Sequence, residues 1–197
     1  MRYVEVLQYQ HPKESILYIS LLDDEDAVKE ASNLVINTKN FELLLETGDF
    51  AQAQYGLTLI SFFGEKVFVQ ICRSVAEHLE KTNDSPEIAM QLYDRIGMQK
   101  EVISMWIKEQ VQMLENVNPL GFPVEGPNYP ASESLKTVQQ RYGSLYEGYA
   151  KSGVFERFPS KMRTLARLEK CCMFYSLVFQ AKHEDALSVC LKWIYNK

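Results

Sequence analysis

Three histidines and four cysteines are the side chains with which this chain could do chemistry near neutral pH, and their spacing gives them little to work with. His11, His78 and His183 each stand alone, with no second ligand or nucleophile at a useful interval. His183, in the run Ala181-Lys182-His183-Glu184-Asp185, reads as part of the turn that opens the last helix. Cys72, Cys171, Cys172 and Cys190 make no C-x-x-C pair and no Cys/His spacing that suits zinc. Adjacent Cys171 and Cys172 would project about 100° apart on a helix, so both do not face one metal. None of the four sits in a strand-to-helix turn that would favour a thiolate nucleophile. The glycines supply neither G-x-G-x-x-G nor a P-loop. The acid run Asp23-Asp24-Glu25-Asp26 lacks the glycine and distal glutamate of a calcium loop and reads as a helix-opening turn. The expectation is a protein with no catalytic, cofactor-binding or metal site, and not an enzyme.

The one positive cluster is Arg157, Lys161, Arg163, Arg167 and Lys170, flanked by Glu156 and Glu169 and interleaved with Phe158, Met162 and Leu165. It reads as a solvated helix face beside a buried one. A docking surface for an acidic partner, or a weak RNA contact, is the alternative. The net charge of −5 disfavours nucleic-acid binding as a primary role. With 46% apolar and 24% charged residues in 197, the composition is globular rather than disordered. The longest apolar runs, 57–63 and 171–179, are too short to span a bilayer. The N-terminus has an early acid and no apolar signal-peptide core, so the cysteines are expected to be thiols.

The elements that would carry these residues are helical almost throughout. Val4 and Leu7, then Ile16, Leu17, Ile19 and Leu22, mark two short helices, with Pro12 in a first turn. Ala27, Val28, Ala31, Leu34 and Val35 form one stripe of a third. A short helix over 40–46 stops at Gly48, and 49–58 reads as loop. The segment 62–81 has Val67, Ile71, Val75 and Leu79 four apart. Caps are expected at Asp24, at Ser85 before Pro86, and at Pro159, with Gly97 ending the helix 86–96. Further helices are expected over 98–116, 132–150, 159–180 and 184–195. Four of the seven prolines fall in 116–130, which cannot be helix. The organisation expected is an N-terminal helical stack over residues 1–116, a Pro-rich connector 117–131 and a C-terminal helical region over residues 132–197. The fold class is all-α, an irregular α-solenoid of stacked antiparallel helix pairs, because aromatics spread along the whole chain and no exact repeat is visible.

The last helix pair is the most explicit. Leu165, Leu168, Cys172, Tyr175 and Phe179 make one continuous stripe, answered by Ala186, Leu187, Cys190, Leu191 and Ile194. Ala186 is the small residue that lets the helices approach opposite Phe174 and Tyr175. The chain stops at Lys197, so this pair is expected to leave an apolar flank, including Trp193, as an interaction surface that a following helix or a partner chain covers.

Several segments, read in order, resemble the nucleoporin-interacting component family, the large α-solenoid linker nucleoporin of the nuclear pore inner ring. Arg2-Tyr3-Val4 with Pro12-Lys13-Glu14-Ser15-Ile16-Leu17-Tyr18 resembles its Y-V … P-x-x-A-L-x-Y helix, Ser15 standing for the small residue. Asn40-Phe41-Glu42-Leu43-Leu44-Leu45 is similar to its F-x-x-L-L segment. Ile88-Ala89-Met90-Gln91-Leu92-Tyr93, with Gln99-Lys100-Glu101-Val102, resembles a family helix pair, although Ile96 and Gly97 stand where Leu and Ala are usual. Phe174-Tyr175 with Glu184-Asp185-Ala186-Leu187 resembles its closing pair. The resemblance implies a structural scaffold of the nuclear pore complex at the nuclear envelope, supporting protein and mRNA transport. Its partners would be other inner-ring nucleoporins, docking peptide motifs into interhelical grooves that the aromatics could line, without direct nucleic-acid binding or membrane insertion. The family's helix that recruits the channel nucleoporins has no counterpart here, so channel recruitment is not carried over. The same packing pattern would also serve a helical-repeat adaptor of a vesicle coat, ciliary or proteasome-lid type assembly.

Overall fold

The computed structural model describes residues 12–45, 59–115 and 135–195. Of these, 84% are helical and none is in a strand, so the chain is all-α. Two compact units divide it between Glu101 and Val102. The proline-rich connector 117–131, the helix expected around Val4 and Leu7, Gly48 and the loop 49–58 lie outside the described residues.

In the first unit, α1 (Pro12–Ile19) opens on its proline and turns Ser15, Ile16 and Ile19 inward. Helix α2 (Asp24–Thr38) is capped by Asp23, one residue before the expected position: its carboxylate accepts the Asp26 N–H at 3.0 Å. Such a cap contributes about 1 kcal/mol, and three more acids in the first turn complement the helix dipole. Ala27, Ala31, Leu34 and Val35 are buried, the stripe that the spacing predicts. The short α3 (Glu42–Leu45) follows. Helix α4 (Leu59–Thr82) is broken at Gly64, whose φ of 73° and ψ of 163° suit glycine alone. Beyond it, Val67, Phe68, Ile71, Cys72, Val75, Ala76 and Leu79 are buried. Helix α5 (Pro86–Arg95) ends in a Schellman motif: Met98 N–H donates to Tyr93 O at 2.8 Å and Gly97 N–H to Asp94 O at 3.0 Å, with Gly97 left-handed at φ 73°. Helix α4 is common to the unit, since α1, α2, α3 and α5 all pack on it.

Ser85 does not cap α5 with its side chain. Its backbone is left-handed at φ 56°, a conformation that aims the hydroxyl at Asp84 Oδ1, 3.4 Å away, instead of at the free N–H groups. Its carbonyl alone serves the helix, accepting from Ile88 and Ala89.

The second unit contains nearly all of α6 (Gln99–Glu115), which buries Val102, Ile103, Met105, Trp106 and Gln110. The single helix expected over 132–150 is instead two, α7 (Val138–Arg141) and α8 (Gly143–Lys151), broken at Tyr142. Residues 135–137 are not helical, because Thr137 starts α7 with a full capping box to Gln140. A further short helix, α9 (Val154–Arg157), follows left-handed Gly153. Then come α10 (Pro159–Phe179), which opens on its proline, and α11 (His183–Tyr195). Each helix from α7 to α11 packs on the next in sequence, α9 reaching α10 and α10 reaching α11.

Candidate functional site

The cysteines are placed for packing. Cys72 and Cys172 are fully buried, and burial pushes their thiols up to about 12 and about 11, far from thiolate at neutral pH. Cys171 is raised too, by burial first and then by nearby Cys190. Cys172 has a second job: its Sγ–H donates to Gln110 Oε1 at 2.9 Å. No group of three His, Cys, Asp or Glu side chains among the described residues could hold a metal ion. His183 is the first residue of α11 and exposed; His11 lies outside the described residues.

His78 lines a surface groove. Helices α2 and α4 line an open groove of about 420 Å³, with Val28 and Ile36 as its apolar part. Lys29, His78 and Lys81 bring positive or titratable groups to it, Glu25 and Glu77 negative ones. Ser32 also lines the groove; it is 3% exposed and its hydroxyl has no hydrogen-bond partner among the described residues. Among the described residues, no aromatic lines this groove. Several aromatics are in the cores: Phe68 and Tyr93 in the first unit, Trp106 and Tyr149 in the second, are all buried.

A polar network built around α6 was not anticipated. Trp106 lies among Tyr142, Tyr146 and Tyr149, with ring centroids 6.3, 6.1 and 5.4 Å away. One turn on, Glu109 accepts from Arg141 Nη1 at 2.8 Å and from the Tyr142 hydroxyl at 2.9 Å. The Arg141 guanidinium lies over the Tyr142 ring, 5.4 Å from its centroid. Gln110, fully buried, donates to Lys136 O at 3.2 Å while accepting from Cys172. Glu169 on α10 accepts the Val138 N–H at 3.1 Å, and burial raises its carboxyl above the usual range. This set ties α6, α7 and α10 together through charge-assisted bonds, which are stronger than neutral ones. Its signal in the sequence was Glu109 itself, an acid on the apolar stripe of Val102, Met105, Trp106 and Met113.

The apolar flank expected at the last helix pair is exposed. Leu165 and Cys172 are fully buried and Ala186 nearly so, while Trp193 keeps 44% of its surface and Met173, Leu187 and Leu191 are exposed as well. Leu187 and Leu191 are one turn apart on α11. Of the basic cluster, Arg157, Arg163, Arg167 and Lys170 are exposed, while Lys161 donates to Ser104 Oγ at 2.7 Å. A second apolar surface was not anticipated. Leu17, Tyr18, Leu21 and Leu22 are exposed at the C-terminal end of α1, Leu21 by 82%.

No protein family, curated protein or solved structure matches the chain. No helix among the described residues is long and apolar enough to cross a membrane.

Proposed function

We propose that the chain is a structural scaffold: an irregular α-solenoid segment of stacked antiparallel helix pairs that links nucleoporins of the nuclear pore inner ring. In this role it serves protein and mRNA transport through architecture alone. The observation that carries the scaffold reading is the treatment of apolar surface. In the second unit each helix from α7 to α11 packs on the next in sequence, as in a stack, and the first and last described helices, α1 and α11, keep large apolar side chains in solvent. The buried, protonated thiols of Cys72 and Cys172 point the same way, since the most reactive residue type is spent on packing. The nuclear-pore reading rests on the ordered resemblance of the segments at 2–18, 40–45, 88–102 and 174–187 to the inner-ring linker family. The α2/α4 groove, polar and mixed in charge, is the place where a partner's extended segment would dock.

Proximity labelling with the chain in its own cell tests this reading. Recovery of inner-ring nucleoporins above all other proteins is the expected result. Recovery of coat, ciliary or proteasome-lid subunits in their place would assign the same scaffold to a different assembly and overturn the pore reading.

A further inference from the structure

Two of the four cysteines stand apart from the enclosed core. Cys171 on α10 and Cys190 on α11 are half-buried, whereas Cys72 and Cys172 are fully enclosed and Cys172 donates its S–H to Gln110. Helices α10 and α11 form an antiparallel hairpin across the turn 180–182, centred on left-handed Ala181. Cys171 lies ten residues before Ala181 and Cys190 nine after it, so along the helices they differ in level by about one residue's rise. Both also lie on the sides that face each other. On α10, Leu168, Cys171, Tyr175 and Val178 follow at intervals of three, four and three, and all four are half-buried. Cys171 projects about 100° away from Cys172, which points to α6 through Gln110. On α11, Cys190 is one turn beyond Ala186, the buried residue of the contact with α10. The two thiols are near enough that Cys190 adds to the effect of burial in raising the Cys171 thiol.

We propose that Cys171 and Cys190 are a dithiol modification site, oxidised by a small-molecule disulfide of the glutathione class to an internal disulfide that staples α11 to α10. Helix axes about 8–10 Å apart, with Cα atoms about 2.3 Å from each axis, bring facing residues within the roughly 4.4–6.8 Å that a disulfide spans between Cα atoms. In the first step one cysteine, as its thiolate, attacks a sulfur of the oxidant. That S–S bond breaks, one glutathione leaves as thiolate and takes up a proton, and a mixed disulfide remains on the chain. The second cysteine, as its thiolate, then attacks the protein sulfur of the mixed disulfide and displaces the other glutathione, which is protonated in turn. Two electrons pass from the cysteine pair to the oxidant, and two protons lost by the cysteines are balanced by two gained by the glutathiones. Excess glutathione reverses both steps. The bond closes a loop of 20 residues, 171–190, and fastens a helix whose principal packing partner is α10. It thereby fixes the helix that presents exposed Leu187 and Leu191. The inference holds whichever assembly the scaffold serves, and its failure leaves that reading standing.

Incubation of the full chain with glutathione disulfide tests it, followed by alkylation of the remaining thiols in denaturant, tryptic digestion and tandem mass spectrometry. Wild type should give one internal disulfide joining the peptides 171–182 and 183–192. Fragmentation should place it at Cys171 and Cys190, with Cys72 and Cys172 alkylated. Cys171→Ser and Cys190→Ser, both at half-buried positions, should each form no internal disulfide. Hydrogen exchange of the α11 amides should slow by about tenfold to a hundredfold in the oxidised wild type and recover with dithiothreitol, while exchange in the first unit stays the same. Four free thiols after oxidation, a mixed disulfide that goes no further, a bond that uses Cys72 or Cys172, a link between two chains in its place, or α11 exchange that oxidation leaves unchanged each overturns the proposal.

Discussion

Two helices in this chain end in the same hydrogen-bonded motif with different residues at the position that must be left-handed. After α5 the residue is Gly97 at φ 73°; after α10 it is Ala181 at φ 57°, where Lys182 N–H donates to Leu177 O at 2.9 Å and Ala181 N–H to Val178 O at 3.0 Å. Swapping the residue types should therefore move stability in opposite directions. A Cβ added at Gly97 meets nothing within 4 Å, so Gly97→Ala has no packing cost and only the conformational one. The left-handed conformation costs a residue with a side chain about 1–2 kcal/mol, and loss of glycine's freedom in the unfolded chain returns about 0.4–1. The net is a destabilisation of about 1 kcal/mol for Gly97→Ala and a gain of about 0.5–1 kcal/mol for Ala181→Gly. Urea unfolding followed by circular dichroism reads both as midpoint shifts with an unchanged slope. Shifts of the same sign, or no shift at Gly97, would refute the claim that backbone geometry at these two termini sets the cost.

Ala186, 3% exposed at the α10–α11 contact, should tolerate no enlargement: Ala186→Phe should destabilise by about 1–3 kcal/mol through overpacking, measured by urea unfolding. Glu109→Ala should cost roughly 2–4 kcal/mol, because it strands the Arg141 guanidinium and the Tyr142 hydroxyl in a site where both ion-pair partners are more than four-fifths buried. Arg141→Met added to it should recover some of that loss. The Cys72 thiol is raised to about 12 in the folded chain from 9.0, so the unfolded chain loses this proton first; its contribution to stability should be level below pH 9 and fall as pH rises from 9 towards 12. Cys72→Ala should make that alkaline decline shallower, and a profile identical to wild type would show the thiol is not its source.

The long helices were legible because burial repeats the spacing of the apolar residues. In α2, Ala27, Ala31, Leu34 and Val35 are buried as their intervals require, and in α4 the four-residue steps from Val67 to Leu79 face inward. The region 132–150 was not legible, because its break is decided by partners far away in sequence. Tyr142 leaves the helical path with its hydroxyl on Glu109, 33 residues earlier, and its neighbour Arg141 pairs with the same carboxylate. Ser85 misled for a local reason: a serine before a proline looks like a cap, and only the left-handed backbone of Asn83 and Ser85 shows otherwise. Of the candidate surface, Trp193 could be counted off the helix as the residue that its own pair leaves uncovered. The α1 tip could not, since Leu17 and Leu22 read as belonging to the same stripe as Ile16 and Ile19 until the fold turned them outward.

The chain has two tryptophans, and both fall after Glu101. Indole emission is therefore blind to the first unit. The two also sit at opposite extremes: Trp106 is fully enclosed by tyrosine rings, while Trp193 stands 44% in solvent. Trp106 should emit to the blue, collect energy from Tyr142, Tyr146 and Tyr149, and resist acrylamide. Trp193 should emit to the red and be quenched freely. A single spectrum then carries two separable signals, one for the integrity of the second unit's interior and one for whatever settles on its surface.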